Sequence, residues 1–86
     1  MDYSLWHGTV YEDDAVFEGL GVYTLDTIRS VAAQLKQSAM DYMSLENEVD
    51  KYIIEFYENQ ENMPEVSVKI NGQIKHKFFM EKYNAC

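Results

Sequence analysis

The sequence predicts a small α+β domain in ββ-αα-ββ order, with one four-stranded antiparallel sheet covered on one face by helix. Three observations predict it. Residues 24–60 contain no Gly or Pro and repeat their apolar residues every seven positions. Residues 65–82 alternate apolar and polar side chains around Asn71-Gly72. Residues 3–23 are rich in aromatic and β-branched residues and are split by Glu12-Asp13-Asp14. Period-two alternation marks strands, and apolar spacings of three and four mark an amphipathic helix.

Taken in order, Tyr3, Leu5, Trp6, Val10 and Tyr11 have strand composition, and Ala15, Val16, Phe17, Leu20, Val22 and Tyr23 resume it after the acidic triplet. A hairpin with an acidic turn follows. Gly8, Gly19 and Gly21 lie in these strands, where glycine marks a bulge or a close backbone approach. Thr24 is a plausible helix N-cap, with Asp26 suited to the positive end of the helix dipole. Ile28, Leu35, Tyr42, Val49 and Phe56 form one helical column, and Leu25, Ala32, Ala39 and Ile53 form its neighbour, broken by Glu46. A single helix to Gln60 would be about 54 Å long, against a radius of gyration of about 12 Å for a compact chain of this length. Two consecutive helices, split near Met43-Ser44-Leu45 with Ser44 as the second cap, are the preferred expectation over one long helix. Pro64 ends the helical region.

In the last hairpin, a three-residue loop Ile70-Asn71-Gly72 would pair Val68 with Ile74 and Val66 with His76. That register gathers Val66, Val68, Ile74, Phe78 and Met80 on the buried face and Lys69, Lys75 and Lys77 on the other. A two-residue turn would mix lysines into the apolar face, so the three-residue loop is expected.

Eighty-six residues make one domain, 1–86, of 47% hydrophobic and 14% aromatic content. The net charge is −8 and unevenly placed. Residues 1–63 hold thirteen acids against Arg29, Lys36 and Lys51, a net of −10. Residues 64–86 hold Lys69, Lys75, Lys77 and Lys82 against Glu65 and Glu81, a net of +2. Phosphates would be repelled by the acidic part, so direct nucleic-acid binding is not expected, and a basic protein partner is. The lone cysteine, Cys86, cannot form an internal disulfide and fits a reducing compartment. No apolar run approaches the roughly 20 residues of a membrane span. The opening Met1-Asp2-Tyr3 has neither a basic nor an apolar leader region. The expected localisation is cytoplasmic.

Catalytic signatures are lacking. Cys86 is terminal, and no Ser or Thr sits in a nucleophile-elbow setting. His76, among apolar strand residues, reads as a hydrogen-bonded core histidine, and His7, beside Trp6, as a surface or interface residue. Glu12, Asp13, Asp14 and Glu18 lack the spacing of a calcium loop, and no zinc pattern exists. No cofactor or metal is expected. Gly19-Leu20-Gly21 lacks the Lys-Ser/Thr ending of a phosphate loop.

The feature with functional content is acidic. Asp41, Glu46, Glu48, Asp50, Glu55, Glu58 and Glu61 are opposed only by Lys51. On helices, like charges three or four apart repel. A row of such carboxylates, joined by Glu12, Asp13 and Asp14, would bind a row of Lys or Arg that otherwise holds a phosphate backbone. In length, negative charge, aromatic richness and lack of catalytic motifs the chain resembles the small acidic inhibitors of phages: anti-CRISPR proteins, anti-restriction DNA mimics and inhibitors of uracil-DNA glycosylase. The resemblance implies a non-enzymatic inhibitor or modulator that occupies a basic, nucleic-acid-binding surface of a partner protein, and it carries over no individual residue. The alternative is a regulatory or structural module that dimerises through its helical heptads. A monomer or homodimer is expected.

Overall fold

The computed structural model describes residues 1–45 and 51–83. Tyr11 N–H donates to the Asp14 carbonyl at 2.8 Å, and the Asp14 carboxylate accepts from Ala15 N–H at 2.7 Å. These bonds close the acidic turn between β1 (Asp2–Val10) and β2 (Ala15–Thr24). The expected first hairpin is therefore present. Its ladder shifts register between Leu5 and Trp6, where Leu20 is the extra residue.

Thr27, and not Thr24, caps α1 (Ile28–Leu45). Its hydroxyl accepts from Ser30 N–H at 3.0 Å, and the Ser30 hydroxyl oxygen accepts in return from Thr27 N–H at 3.1 Å. This reciprocal pair satisfies amides that the first helical turn leaves unbonded. Thr24 ends β2 instead, its hydroxyl donating to the Asp2 carboxylate at 2.7 Å.

Among the described residues, the expected second helix is not there. Residues Ile53–Glu58 form a strand, β3, followed by β4 (Pro64–Ile70) and β5 (Gln73–Lys82). The order is β-β-α-β-β-β, and five strands form one antiparallel sheet in the order β2-β1-β5-β4-β3. The four-stranded ββ-αα-ββ expectation is thus corrected. Tyr52, Ile53, Ile54, Phe56 and Tyr57 are β-branched or aromatic, residues that pack well on a pleated surface and lose rotamer freedom in a helix. Their three-and-four spacing fitted a helix equally well only because so many neighbours are apolar. As a strand the segment pairs with β4 from Ile53↔Lys69 to Glu58↔Pro64, satisfying backbone groups along that side. The heptad columns are consequently not one helical seam. Phe56 and Ile53 lie on β3, Ile28 is exposed on α1, and Val49 is outside the described residues.

The last hairpin also differs from its expected register. Asn71 and Gly72 both have positive φ, 54° and 79°, as a two-residue type I′ turn requires. Ile70 pairs with Gln73 and Lys69 with Ile74. A bulge then follows, and Val68 pairs with His76 and Val66 with Phe78. The bulge absorbs Lys75, so the lysines leave the apolar face without a longer loop. Ile74 ends up 37% exposed, opposite Lys69. Val66, Val68, Phe78 and Met80 are buried, as their alternation requires.

One face of the sheet receives α1. Val31, Leu35, Ala39 and Met43 pack on Tyr3 and Leu5 of β1, Val66 and Val68 of β4, and Phe78 and Met80 of β5. Among the described residues, no helix is long and apolar enough to cross a membrane. Phe78 is fully buried at the centre of this layer, so Phe78→Ala is expected to cost about 3–5 kcal/mol. Ile74→Ala, beyond the bulge, should cost under about 1 kcal/mol. Urea unfolding of both variants checks the pair; equal losses would contradict the observed register.

Candidate functional site

The first Lys or Arg in the sequence is Arg29. Everything before it, which is to say β1, the turn and β2, carries only acids: Asp2, Glu12, Asp13, Asp14, Glu18 and Asp26. The fold puts β2 at one edge of the sheet. Val16, Phe17, Leu20 and Val22 are all exposed along it. Directly paired residues share a face. Phe17 and Val22 therefore lie on the face away from α1, with Gly8 and Ser4, whereas Val16 and Glu18 lie on the helix side, with Thr9 and His7.

The edge strand is anchored by rings laid over glycines. A Cβ at Gly8 would stand 2.5 Å from Cε1 of Phe17, so only glycine leaves room for that ring. The Trp6 ring passes over Gly19 at 3.8 Å from where a Cβ would be. Phe17 meets Phe79 edge-on at 5.7 Å between ring centroids. Phe17, Trp6 and Phe79 thereby run as an aromatic strip from the edge into the open face. Trp6 Nε1 is buried and has no hydrogen-bond partner among the described residues.

A second anchor reaches into the core. His7 is 1% exposed, and its Nδ1 lies 3.0 Å from a Glu18 carboxylate oxygen. Its Nε2 lies 3.0 Å from Nδ1 of His76. Tyr42 packs at a tilt against both rings, at centroid distances of 4.3 and 5.1 Å. A carboxylate only accepts, so His7 donates from Nδ1, and one proton serves the contact between the two imidazoles. His76 is, as expected, a partly buried, hydrogen-bonded histidine, whereas the expected surface or interface role of His7 is corrected. His7 is the fully buried one, because it continues the alternation of Tyr3 and Leu5 along β1 on the face that receives α1, and the bulge in β2 brings Glu18 to that same side; His76 is half-buried. The spacing of two lone histidines 69 residues apart gave no signal that they meet.

Among the described residues, the acids expected on one helical face are spread over different elements. Glu55 and Glu58 sit three apart on a strand, hence on opposite faces: Glu55 pairs with Ser67 and Glu58 with Pro64. Glu55 accepts from Lys69 at 3.1 Å. Asp41 is exposed on α1 and accepts from Gln37 at 2.8 Å. Glu61, in the turn before β4, lines an open cleft with Glu65, Phe79 and Glu81. By register, that turn is at the opposite end of the sheet from Glu12, Asp13 and Asp14. Glu46, Glu48 and Asp50 lie outside the described residues, as does Cys86. The β1–β2 hairpin carries no Lys or Arg: Glu12, Asp13 and Asp14 lie at its turn, Glu18 lies along β2, and Asp2 and Asp26 lie at its opposite end.

On the open face near β3, the Tyr57 phenol is pushed above its ordinary value. Burial is the main cause; a hydrogen bond from Ser67 opposes it, and a hydrogen bond and the charge of Glu65 add to it. Among the described residues no three His, Cys, Asp or Glu groups lie where they could hold a metal ion. Compared with known proteins, the chain matches no family model, no curated protein and no solved structure.

Two expected outcomes follow from these contacts. Glu18→Leu leaves the buried His7 Nδ1–H without its acceptor and should cost about 1–3 kcal/mol in urea unfolding, whereas Glu58→Gln should stay within about 0.5 kcal/mol. For Tyr57, a raised phenol value means that the folded state holds the proton more tightly than the unfolded chain. Its stabilisation is fully present below the unfolded phenol value of about 10 and is lost as pH rises through the folded value. In an absorbance titration of the phenols, Tyr57→Phe should remove a component that titrates above the ordinary phenol value.

Proposed function

We propose that the chain is a non-enzymatic, acidic protein-binding module that occupies a basic surface of a partner, of the kind that otherwise holds nucleic acid. The single observation that carries this reading is the β1–β2 hairpin: six acids and no Lys or Arg precede Arg29, along and at both ends of a hairpin whose edge strand exposes Val16, Phe17, Leu20 and Val22. Opposite charge steers such a partner in and fixes its orientation. The exposed apolar side chains supply burial once it is seated. Inhibition or modulation of the partner follows from steric occupation of its basic surface, and the resemblance to phage-type acidic inhibitors agrees with that. The lone cysteine is consistent with a cytoplasmic setting.

Affinity capture from a lysate, eluted with rising salt, tests this. The parent chain should retain basic proteins at low salt and release them at high salt. The variant Glu12→Gln/Asp13→Asn/Asp14→Asn/Glu18→Gln should bind its principal partner more weakly by about 1–3 kcal/mol. Gln at position 18 keeps an acceptor for His7, so folding should persist. Glu58→Gln/Glu61→Gln, at the far edge and far end, should bind like the parent. Equal losses in the two variants would place the interaction elsewhere.

A further inference from the structure

We infer that β2 takes up an extended, basic segment of a partner protein as a sixth strand. The inference rests on the function proposed above and specifies how the partner is recognised. Two bonds fix the ends of the β1–β2 ladder: Tyr11 N–H to the Asp14 carbonyl at 2.8 Å, and Leu25 N–H to the Met1 carbonyl at 2.9 Å. Bonded and unbonded pairs alternate along an antiparallel ladder. Counting from either end makes Thr9↔Val16, His7↔Glu18, Leu5↔Gly21 and Tyr3↔Tyr23 the bonded pairs, with the bulge taking up the mismatch. Phe17, Gly19 and Val22 therefore turn their N–H and C=O groups outward, along an edge for which β1 is the only paired strand among the described residues.

Such a row of unpaired backbone groups is a template for another strand. The first outward N–H, at Ala15, is already taken by the Asp14 carboxylate, which sets where an added strand begins. Side chains of an added strand would alternate between two surroundings. On the open face they would extend the aromatic strip of Phe17, Trp6 and Phe79, which suits apolar residues. On the helix side they would meet Glu18, with Glu12, Asp13 and Asp14 at one end and Asp26 at the other, which suits Lys and Arg. The fitting occupant thus alternates apolar and basic residues. A second copy of β2 would set Glu18 and the acidic turns against their own kind, and like charges across a ladder repel.

The test uses the whole chain and a synthetic peptide of alternating Lys and Val, the ten-residue length of β2, with a Glu/Val peptide as control. Calorimetry should show binding of the Lys/Val peptide alone. Two N-methylated versions, blocked at the Lys amides or at the Val amides, present opposite blocked edges. One should lose binding by about tenfold or more, as the loss of a few backbone hydrogen bonds requires, and the other should keep it. Val22→Pro, placed where no ladder donor is lost, should weaken the parent peptide similarly with circular dichroism unchanged. If this variant fails to fold, the methylated pair decides. Equal binding by both methylated peptides, with the hairpin charge variant still impaired, would overturn strand addition and leave the acidic module. No preference for Lys/Val over Glu/Val would overturn that module as well. A concentration-dependent dimer in sedimentation, abolished by Val22→Pro, would replace the partner with a second copy.

Discussion

A single helix has to cover a five-stranded sheet. With side chains a helix is about 10–12 Å across, whereas five strands about 4.8 Å apart span about 19 Å. α1 therefore seats its buried residues on the middle three strands, β1, β5 and β4. Tyr23 of β2 and Ile54 of β3 reach the margin of this core, but the exposed apolar residues of both outer strands and the opposite face lie beyond the helix. The exposed apolar residues of β2 and β3, the uncovered aromatic strip and the placement of the core all derive from this mismatch in width.

The two bulges serve the same constraint. A strand presents alternate residues to alternate faces, so one extra residue reverses everything beyond it. In β2 the extra residue at Leu20 lets Tyr23 and Glu18, an odd number of positions apart, lie on the helix side with Tyr3 and His7. In β5 the bulge lets Phe78 and Met80 face α1 while Ile74 opposes Lys69. The Glu18–His7–His76 chain exists only because of this alignment. It joins three neighbouring strands from the edge inward, β2 to β1 to β5, and ties an edge carboxylate that is 59% exposed to an imidazole inside the core.

The two edges of the sheet are chemically different. At β3 the charge is mixed: Glu55 holds Lys69, and Lys51 precedes the strand. At β2 it is uniformly negative. Charged side chains are a common way of keeping sheet edges from pairing with their own copies. An edge guarded by one sign of charge disfavours copies of itself, and under the function proposed above it would admit its electrostatic opposite.

The sequence by itself determined the local features. The acidic turn, the Asn71-Gly72 hairpin, the α1 stripe through Leu35 and Ala39, and the alternation that buries Val66, Val68, Phe78 and Met80 depend on near neighbours and on composition. The concentration of acids before Arg29 was equally legible. Only tertiary structure decided the rest. Residues 53–58 are apolar enough to satisfy a helical or a strand period, and the outcome turned on β4 having backbone groups for them to pair with. Glu55 and Glu58 lost their common face in that choice, and with them went the expected helical row of carboxylates. Thr27 displaced Thr24 as the cap because β2 continues through Thr24 to pair with Asp2. His7 met His76 across a ladder between strands from opposite ends of the chain. Contacts between residues far apart in sequence leave no periodicity to read, because they are fixed by which strands lie side by side.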